Sequence, residues 1–310
     1  MTTRRSARLL AKTTASSPTK SDMSGASGKV SKKAKHSIKK VVSRVALAAE
    51  VPINLPKDTS VTSPIVSPLV SLADPKVMNT AIRHLKTADP RLGKIIDRTK
   101  ETCSMALPRD QDTDSSFISL CQSIIFQQLA GSAASAILLR FLKRYGKLKD
   151  ASMLPLLEED NYGISQDHFI FPTPQEVVAL DVDEMKAVGL GQRKAEYLKA
   201  VAEKFNDGTL SDEKLAIMTD DDVSRSLIAI RGIGQWTADM FLMFHLKRPN
   251  VLPTLDLAVR KAMCHHFGKP FGKKTPTHDE MVEMSRAWMP YRSVATWYMW
   301  KLVATITQKS

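Results

Sequence analysis

Cysteine is scarce in this sequence of 310 residues, and its cysteines lie far apart. Cys103, Cys121 and Cys264 are separated by 18 and 143 residues. Disulfide-rich domains and Cys-ligated zinc or iron–sulfur sites need more cysteines at closer spacing. The spacing therefore predicts a protein of a reducing compartment that requires no metal.

Long apolar runs are also lacking. No stretch reaches the ~18 consecutive apolar residues that a membrane-spanning helix needs. The beginning of the sequence has no apolar segment of signal-peptide length either. We therefore expect neither a membrane partner nor secretory targeting.

Aromatic residues are missing from the first third of the chain, since the first one is Phe117. Residues 1–50 hold fourteen Ser or Thr, and twelve Lys or Arg against Asp22 and Glu50, which is 12 − 2 = +10 of the total net charge of +13. Such a segment cannot bury enough apolar area to offset its ordering entropy. The composition predicts a basic, disordered tail and linker over 1–74 and a folded domain over 75–310.

A basic cluster lies inside this tail, with the sequence KVSKKAKHSIKK from Lys29 to Lys40. Clusters of this type serve nuclear import or nonspecific phosphate contact, and the alternative is a solvated tail without a receptor. The scarcity of acids also suits a mitochondrial transit peptide. We expect a nuclear protein, with the mitochondrion as the alternative.

Apolar residues after the tail recur at helical spacing, and no segment alternates as a strand does. Residues 151–171 contain Pro155 and several acids and predict an exposed loop. The fold class is therefore predicted to be all-α. The helical segments are KVMNTAIRHLKTADP, SFISLCQSIIFQQLAGSAASAILLRFLKRYG, TPQEVVAL, DEMKAVGLGQRKAEYLKAVAEKF, LIAIRGIGQWTADMFLMFHL, LDLAVRKAMCHHFG and DEMVEMSRAWMPYRSVATWYMWKLVATITQ.

The stretch IRGIGQWTADMF, from Ile230 to Phe241, places two glycines between two helical runs. One interpretation is a structural turn, because Gly adopts positive φ at no steric cost. The other is a phosphate site, because the helix that starts at Gln235 presents unpaired backbone N–H groups at its positive dipole end.

Asp256 lies 22 residues beyond Gly234, directly before the helical run LAVRKAM. An Asp at this place is commonly an ordinary N-cap. It is also a candidate catalytic carboxylate. The residues alone leave both interpretations open.

The segments LIAIRGIGQWTADMFLMF and VLPTLDLAVRKAM resemble the helix-hairpin-helix DNA glycosylase superfamily, most closely its 3-methyladenine DNA glycosylase II branch. The resemblance covers about 76–310, and further blocks follow in the family's order. These blocks are AIRHLKTADPRLGKII, SIIFQQLAGSAA, FPTPQEV, VGLGQRKAEYL and WMPYRSVATWYMW.

The resemblance implies an all-α fold of two interleaved helical subdomains, in which a hairpin binds the DNA backbone and an Asp faces a base-binding cleft. On that pattern the hairpin is Arg231, Gly232, Ile233 and Gly234, and Asp256 is the catalytic residue. In some members, hairpin carbonyls hold a monovalent cation. No other cofactor is implied.

Trp236 occupies the position at which the bifunctional glycosylase/lyases of the superfamily carry a Schiff-base Lys. Without that amine, the usual route to a covalent imine and strand cleavage is closed, which predicts a monofunctional glycosylase. An indole also attracts a cationic alkylated purine by stacking and cation–π interaction. The alternative role for Trp236 is core packing.

Met240 stands where some bacterial relatives have a further aromatic residue, so we expect it to line the base pocket by shape and polarizability. The family places a side chain that fills the gap left by the flipped nucleotide in the turn after SIIF. Gln128 and Leu129 are the candidates for this wedge, and a helix end that merely exposes its amides is the alternative.

A second DNA contact is expected at the Gly-Leu-Gly turn that ends at Gly191, together with Arg193 and Lys194 directly after it. The aromatic residues near the C-terminus are expected to be mostly core, while Arg292 could contact the DNA backbone or brace Asp256. Cys264-His265-His266 could suggest a metal site, but adjacent helical residues point about 100° apart and so cannot readily share one ion. The segment instead predicts a helix end with solvated His side chains.

These features predict a monomeric, monofunctional DNA glycosylase that excises alkylated purines of the 3-methyladenine and 7-methylguanine type from double-stranded DNA. An alkylated base is already cationic and leaves readily, so one carboxylate is enough. The alternatives are a non-catalytic helix-hairpin-helix DNA-binding protein and a bifunctional oxidised-base glycosylase/lyase.

Overall fold

The computed structural model describes residues 70–99, 101–106, 115–154, 164–272 and 275–308. Within these ranges the secondary structure is almost entirely helical, so the predicted all-α class is confirmed. A π-helical turn, Phe241–His245, directly follows the helix Gln235–Met240. The α-helices in chain order are α1 (Pro75–Ala88), α2 (Pro90–Arg98), α3 (Ser116–Phe126), α4 (Gly131–Tyr145), α5 (Pro174–Ala179), α6 (Val182–Ala187), α7 (Gln192–Asn206), α8 (Asp212–Ile217), α9 (Asp220–Ile228), α10 (Gln235–Met240), α11 (Leu257–Phe267), α12 (His278–Met284) and α13 (Arg292–Gln308).

The helices form two groups that interleave along the chain. α1 and α2 pack against each other and against α13, which in turn packs on α11. The second group surrounds α7, which contacts α3, α5 and α6. The first two helices therefore close onto the last ones, as expected for two interleaved subdomains.

Asp89 joins the first group at the point where α1 ends and α2 begins. Its side chain accepts hydrogen bonds from the backbone N–H groups of Arg91 and Leu92. Its Oδ2 atom lies 2.6 Å from His266 Nε2 and accepts from Trp288 Nε1 at 2.9 Å. Burial alone would raise the pKa of this carboxyl, but these hydrogen bonds outweigh it and hold the pKa well below its usual range. The buried carboxylate thus ties α2 to the C-terminal helices.

Two short strands, which the sequence did not predict, follow α4 and precede α5. β1 (Lys147–Leu148) and β2 (Phe169–Ile170) pair antiparallel, with Lys147 opposite Ile170. Two-residue strands are too short to show an alternating pattern. The prediction of an exposed loop over 151–171 is wrong at the end of this segment, because Phe169 and Phe171 are buried. The Phe171 ring packs against aromatic rings of α3 and α4.

Helix ends lie where the turn residues predict them. Thr173 caps α5 in a capping box with Glu176, and Pro174 occupies the first helical position. Gly146 is the C-cap of α4, and Gly268 is the C-cap of α11 and adopts the left-handed conformation with φ +65°. Local sequence therefore sets these boundaries.

The aromatic side chains near the C-terminus are mostly core, as predicted, with Trp288 and Trp297 buried. Arg292 is also buried, and its guanidinium donates to the carbonyl oxygens of Val282 (3.0 Å) and Ser285 (3.4 Å). Arg292 therefore braces the end of α12, and the expectation that it contacts DNA or Asp256 is wrong.

The described helices include none that is long and apolar enough to cross a membrane. Residues 1–69, which hold most of the predicted tail and the whole of Lys29–Lys40, lie outside the described residues.

Candidate active site and DNA-binding hairpin

A tight turn joins α9 to α10. Gly232 has φ +96°, which favours glycine, and the Ile233 N–H donates to the Ile230 carbonyl at 3.1 Å. Gly234 then forms the N-cap of α10 without a side-chain capping bond. The first N–H groups of a helix have no partner within the helix. The turn therefore presents backbone donors at the start of α10.

The turn lies directly on α7. A Cβ atom added to Gly232 would lie 2.2 Å from Cγ of Tyr197. The Arg231 guanidinium lies 5.9 Å from the centre of the Tyr197 ring and 3.1 Å from the Glu196 carboxylate. The absent side chain at Gly232 is thus what allows the hairpin to reach α7.

The hairpin carbonyls are the groups that would coordinate the monovalent cation that the resemblance implies. The Gly232 carbonyl accepts a hydrogen bond from Gln127 Nε2 at 3.1 Å, and the Ile230 carbonyl accepts from Ile233. Two of the oxygens that could coordinate a cation are therefore already engaged by N–H donors. A carbonyl oxygen has two lone pairs, so these bonds leave one free on each oxygen, and the cation stays a prediction.

Asp256 combines the two roles that the sequence left open. It is the N-cap of α11, because its Oδ1 accepts from the Val259 N–H at 2.9 Å. Its Oδ2 also accepts from Trp236 Nε1 at 2.8 Å, and Oδ1 accepts from Trp300 Nε1 at 3.2 Å. Three donors from three helices fix the orientation of this carboxylate, which remains half-buried.

Trp300 is a site residue that the sequence did not predict, because its position among the C-terminal aromatic residues indicates a core side chain. It lies 44 residues after Asp256, and only the fold brings the two together. Trp236 was identified, and its side chain is 45% exposed, so the alternative of core packing is wrong for it. The two indole N–H groups hold the two oxygens of one carboxylate.

Met240 lines a cavity of about 210 Å³ between α3 and the end of α10. The polar part of its lining comes from Ser119, Ser123 and His245. Phe244, which also lines it, stacks on Trp300 at 5.7 Å between ring centres. The cavity therefore adjoins one of the indoles that hold Asp256, while Trp236 is outside its lining.

Asp239 is a second carboxyl near this site and was not predicted from the sequence. Asp239 is only 6% exposed, and its Oδ1 accepts a hydrogen bond from Gln235 Nε2 at 2.8 Å. Burial, reinforced by the charge of Asp256 and opposed by the Gln235 hydrogen bond, raises the pKa of Asp239 to about 7. The spacing of Gln235 and Asp239, four residues apart on a helix, was the available signal.

We expect Asp239→Asn to make the protein more stable than wild type at pH 8, but not at pH 5. The unfolded carboxyl ionises near pH 4 and the folded one near pH 7, so wild-type stability falls as pH rises between these values. The difference should reach on the order of 2–4 kcal/mol. Melting temperatures of both proteins at the two pH values measure this stability difference. The same difference at pH 5 and pH 8 would contradict the raised pKa.

The matched control is Asp207→Asn. Hydrogen bonds from Thr209 lower the pKa of this exposed carboxyl. A lowered pKa contributes stability above the unfolded pKa, so this variant should be less stable than wild type at pH 8. The two substitutions should therefore shift the melting temperature in opposite directions.

The candidate wedge residues lie in the turn between α3 and α4, which is exposed. Gln128 has φ +57°, an uncommon conformation for a residue other than glycine, and Leu129 is 40% exposed. The neighbouring Gln127 reaches the hairpin through the Gly232 carbonyl. The turn therefore presents both candidate side chains to solvent beside the hairpin, and their role stays a prediction.

The second Gly-x-Gly turn has the same backbone pattern as the hairpin. Gly189 has φ +96°, and Gly191 caps α7 without a side-chain bond. Arg193 is exposed, and it lines an open concavity together with Arg231. Lys194 differs from its expected role, because its ammonium is half-buried and donates to two carbonyl oxygens of the protein.

Metal ligation finds no support at the end of α11. The described ranges contain no group of three or more His, Cys, Asp or Glu side chains that could hold a metal ion. His265 is exposed. His266 is buried against Asp89, so the prediction of a solvated side chain is wrong for His266.

Comparisons with known proteins match more than half of this chain. The profile of the HhH-GPD superfamily of base excision DNA repair proteins matches residues 121–290. A putative DNA-3-methyladenine glycosylase of Bacillus subtilis is 34% identical over 184 residues, which are 59% of this chain and 58% of that protein. DNA-3-methyladenine glycosylase 1 of Schizosaccharomyces pombe is 31% identical over 194 residues, which are 62% of this chain and 75% of that protein.

A solved structure shares the fold. The 3-methyladenine DNA glycosylase of Schizosaccharomyces pombe, in complex with abasic DNA, superposes with a TM-score of 0.53 at 29% sequence identity. The superposition covers 72% of this chain and 95% of that chain. The similarity thus extends beyond the hairpin to most of the helical domain.

Proposed function

Because the chain belongs to the HhH-GPD superfamily of base excision DNA repair proteins, we propose that it is a monofunctional DNA glycosylase. It hydrolyses the N-glycosidic bond of alkylated purines of the 3-methyladenine and 7-methylguanine type in double-stranded DNA. One observation carries this function. The Asp256 carboxylate is held by the indoles of Trp236 and Trp300, and Trp300 stacks on Phe244, which lines the same cavity as Met240.

Asp256 stabilises charge on the sugar. A flipped nucleotide places its C1′ atom beside the carboxylate, the bond from C1′ to the base nitrogen breaks, and the electron pair leaves with the base. Positive charge then builds on the sugar ring, and the fixed carboxylate stabilises it. A water oxygen then bonds to C1′, and the water passes a proton to solvent by way of the carboxylate. The product is an abasic site.

Trp236 and Met240 adapt the site to a cationic base. The exposed indole of Trp236 offers an aromatic face beside the catalytic carboxylate. Cation–π attraction to an N3- or N7-alkylated purine contributes on the order of 0.5–2 kcal/mol. Met240 adds a polarizable wall to the adjoining cavity. The base leaves as a neutral molecule, so no acid has to protonate it.

DNA is bound along the hairpin and the second Gly-x-Gly turn. The uncapped start of α10 and the exposed Arg231 and Arg193 face phosphates. Gln128 or Leu129 enters the gap left by the flipped nucleotide. The protein acts as a monomer, and the basic N-terminal segment adds nonspecific affinity that weakens as salt is raised.

The test is release of free base from duplex DNA treated with a methylating agent. The protein should release 3-methyladenine and 7-methylguanine, and the strand should stay intact until alkali cleaves the abasic site. Borohydride should trap no covalent complex, because Trp236 supplies no amine. A trapped complex would support the glycosylase/lyase alternative, and binding without release would support the non-catalytic one.

We place the protein in the nucleus, on the strength of the basic cluster Lys29–Lys40. A fluorescent fusion that lacks these twelve residues should leave the nucleus. Mitochondrial fluorescence of the intact fusion would favour the transit-peptide alternative.

A further inference from the structure

Lys194 closes the C-terminal end of α3. Its Nζ donates to the carbonyl oxygens of Ile125 and Gln127, each at 2.7 Å. The last carbonyls of a helix have no partner within the helix and form its negative end, which a cation stabilises. The ammonium reaches them from the first turn of α7. It therefore fixes the point at which the turn 127–130 leaves α3.

Gln127 carries this contact on to the hairpin. Its carbonyl is one of the two that Lys194 binds, while its side-chain Nε2 donates to the Gly232 carbonyl at 3.1 Å. Gly232 itself rests on Tyr197 of α7. Three elements that are distant in sequence thus meet in one closed set of contacts: the start of α7, the turn after α3, and the hairpin.

The residue after Gln127 needs such support. Gln128 has φ +57°, a conformation that costs a non-glycine residue free energy and persists where neighbouring contacts determine it. Within the described ranges, Lys247 is the only other non-glycine residue with positive φ. The contacts of Gln127 fix the chain immediately before the strained residue.

From this geometry we infer that Lys194 and Gln127 are positioning residues that lock the wedge turn 127–130 to the DNA-binding hairpin. The inference rests on the proposed function and adds to it a residue pair that transmits the hairpin's position to the wedge. DNA held by the hairpin then meets the Gln128 and Leu129 side chains at a fixed place. Lys194 in this role contacts no phosphate, unlike its expected role in DNA binding.

The experiment compares Lys194→Met with Lys199→Met. Lys199 lies on the same helix, and its Nζ likewise donates to a backbone carbonyl, that of Leu180, at 2.7 Å. That contact is remote in sequence from both the wedge turn and the hairpin. Both substitutions remove one positive charge and keep an unbranched side chain, so charge and helix propensity are matched.

We expect Lys194→Met to lower the single-turnover rate of base release by roughly tenfold or more, because small misplacements of reacting groups have effects of that size. Affinity for undamaged duplex and its salt dependence should match those of Lys199→Met. Lys194→Arg should restore most of the rate, since a guanidinium can donate to two carbonyls. Gln127→Leu should show the same slow release, and the double variant should be no slower than the worse single variant.

A second readout does not require catalysis. In duplex DNA with a stable abasic-site analogue opposite or beside 2-aminopurine, wild type should raise the fluorescence as the wedge unstacks the base. Lys194→Met and Gln127→Leu should give a smaller rise at saturating protein, and Lys199→Met should not. If wild type releases no base but the fluorescence pattern holds, the proposed activity fails and the positioning role stands.

Two results would overturn the positioning role. One is equal fluorescence and equal release for Lys194→Met and Lys199→Met. The other is weaker binding of Lys194→Met to undamaged DNA, with a salt slope smaller by about one, which indicates a direct phosphate contact. Melting temperatures identify any variant that fails to fold. If Lys194→Met does not fold, the single variants Lys194→Arg and Gln127→Leu test the positioning role in its place.

Discussion

Replacing Asp256 by Asn should lower the single-turnover rate of base release by at least about a hundredfold, with DNA affinity changed by no more than about twofold. The substitution removes the charge that stabilises the sugar cation, and loss of a single preorganised electrostatic group costs about 10²–10³ in rate. Asn is as good an N-cap as Asp, so the start of α11 should persist. Release of methylated purine measures the rate, and fluorescence anisotropy on abasic-analogue DNA measures affinity.

The control for this substitution is Asp181→Asn. Asp181 also caps a helix, since its side chain accepts from the N–H groups of Asp183 and Glu184 at the start of α6. It should leave base release unchanged. Release by Asp256→Asn at the wild-type rate would remove the catalytic role of this carboxylate, and Asp256 would then be only a cap.

Replacing Gly232 by Ala should destabilise the domain by at least about 2 kcal/mol and weaken DNA binding at least about tenfold. The substitution places a methyl group 2.2 Å from Cγ of Tyr197 and forces an L-residue to φ +96°. Left-handed strain costs about 1–2 kcal/mol and overpacking about 1–3 kcal/mol. In a domain of this size the melting temperature should fall by about 4–8 °C.

Two further glycines separate the causes. Gly208 has φ +71° with open space around it, so Gly208→Ala should show the conformational cost alone. Gly234 has φ −99° and also faces open space, so Gly234→Ala should show only the cost of Ala at the N-cap of α10, on the order of 1 kcal/mol or less. If Gly232→Ala is no less stable than Gly208→Ala, the close packing of the hairpin on Tyr197 does not hold in solution.

The sequence predicted the helices well where the local chemistry was explicit. Thr173 and Glu176 form a capping box, and Gly268 follows a helix in the left-handed conformation, which glycine adopts more readily than other residues. It predicted poorly where a long-range partner decides. His266 was expected to be solvated because nothing near it in sequence reveals Asp89, 177 residues away.

The candidate site divides in the same way. Asp256, Trp236 and the hairpin glycines were identified from motif and resemblance, because their roles are tied to fixed local spacing. Trp300 and Asp239 were missed, since an aromatic residue on a core helix and an acid in a helical run carry no local mark of their surroundings. Lys194 was identified as a basic residue near a turn, but its contacts with two carbonyls appear only in the fold.

The sequence by itself determined the helical class, the helix ends that capping residues and glycines mark, the hairpin, and the family, because periodicity, caps and motifs are local properties of the chain. Only the tertiary structure decided which side chains act together. The two indoles meet one carboxylate, Asp239 is desolvated near it, Lys194 binds the turn after α3, and Gln127 of that turn binds the hairpin, all through packing of helices distant in sequence. Burial and hydrogen-bond partners depend on that packing, and no single segment encodes them.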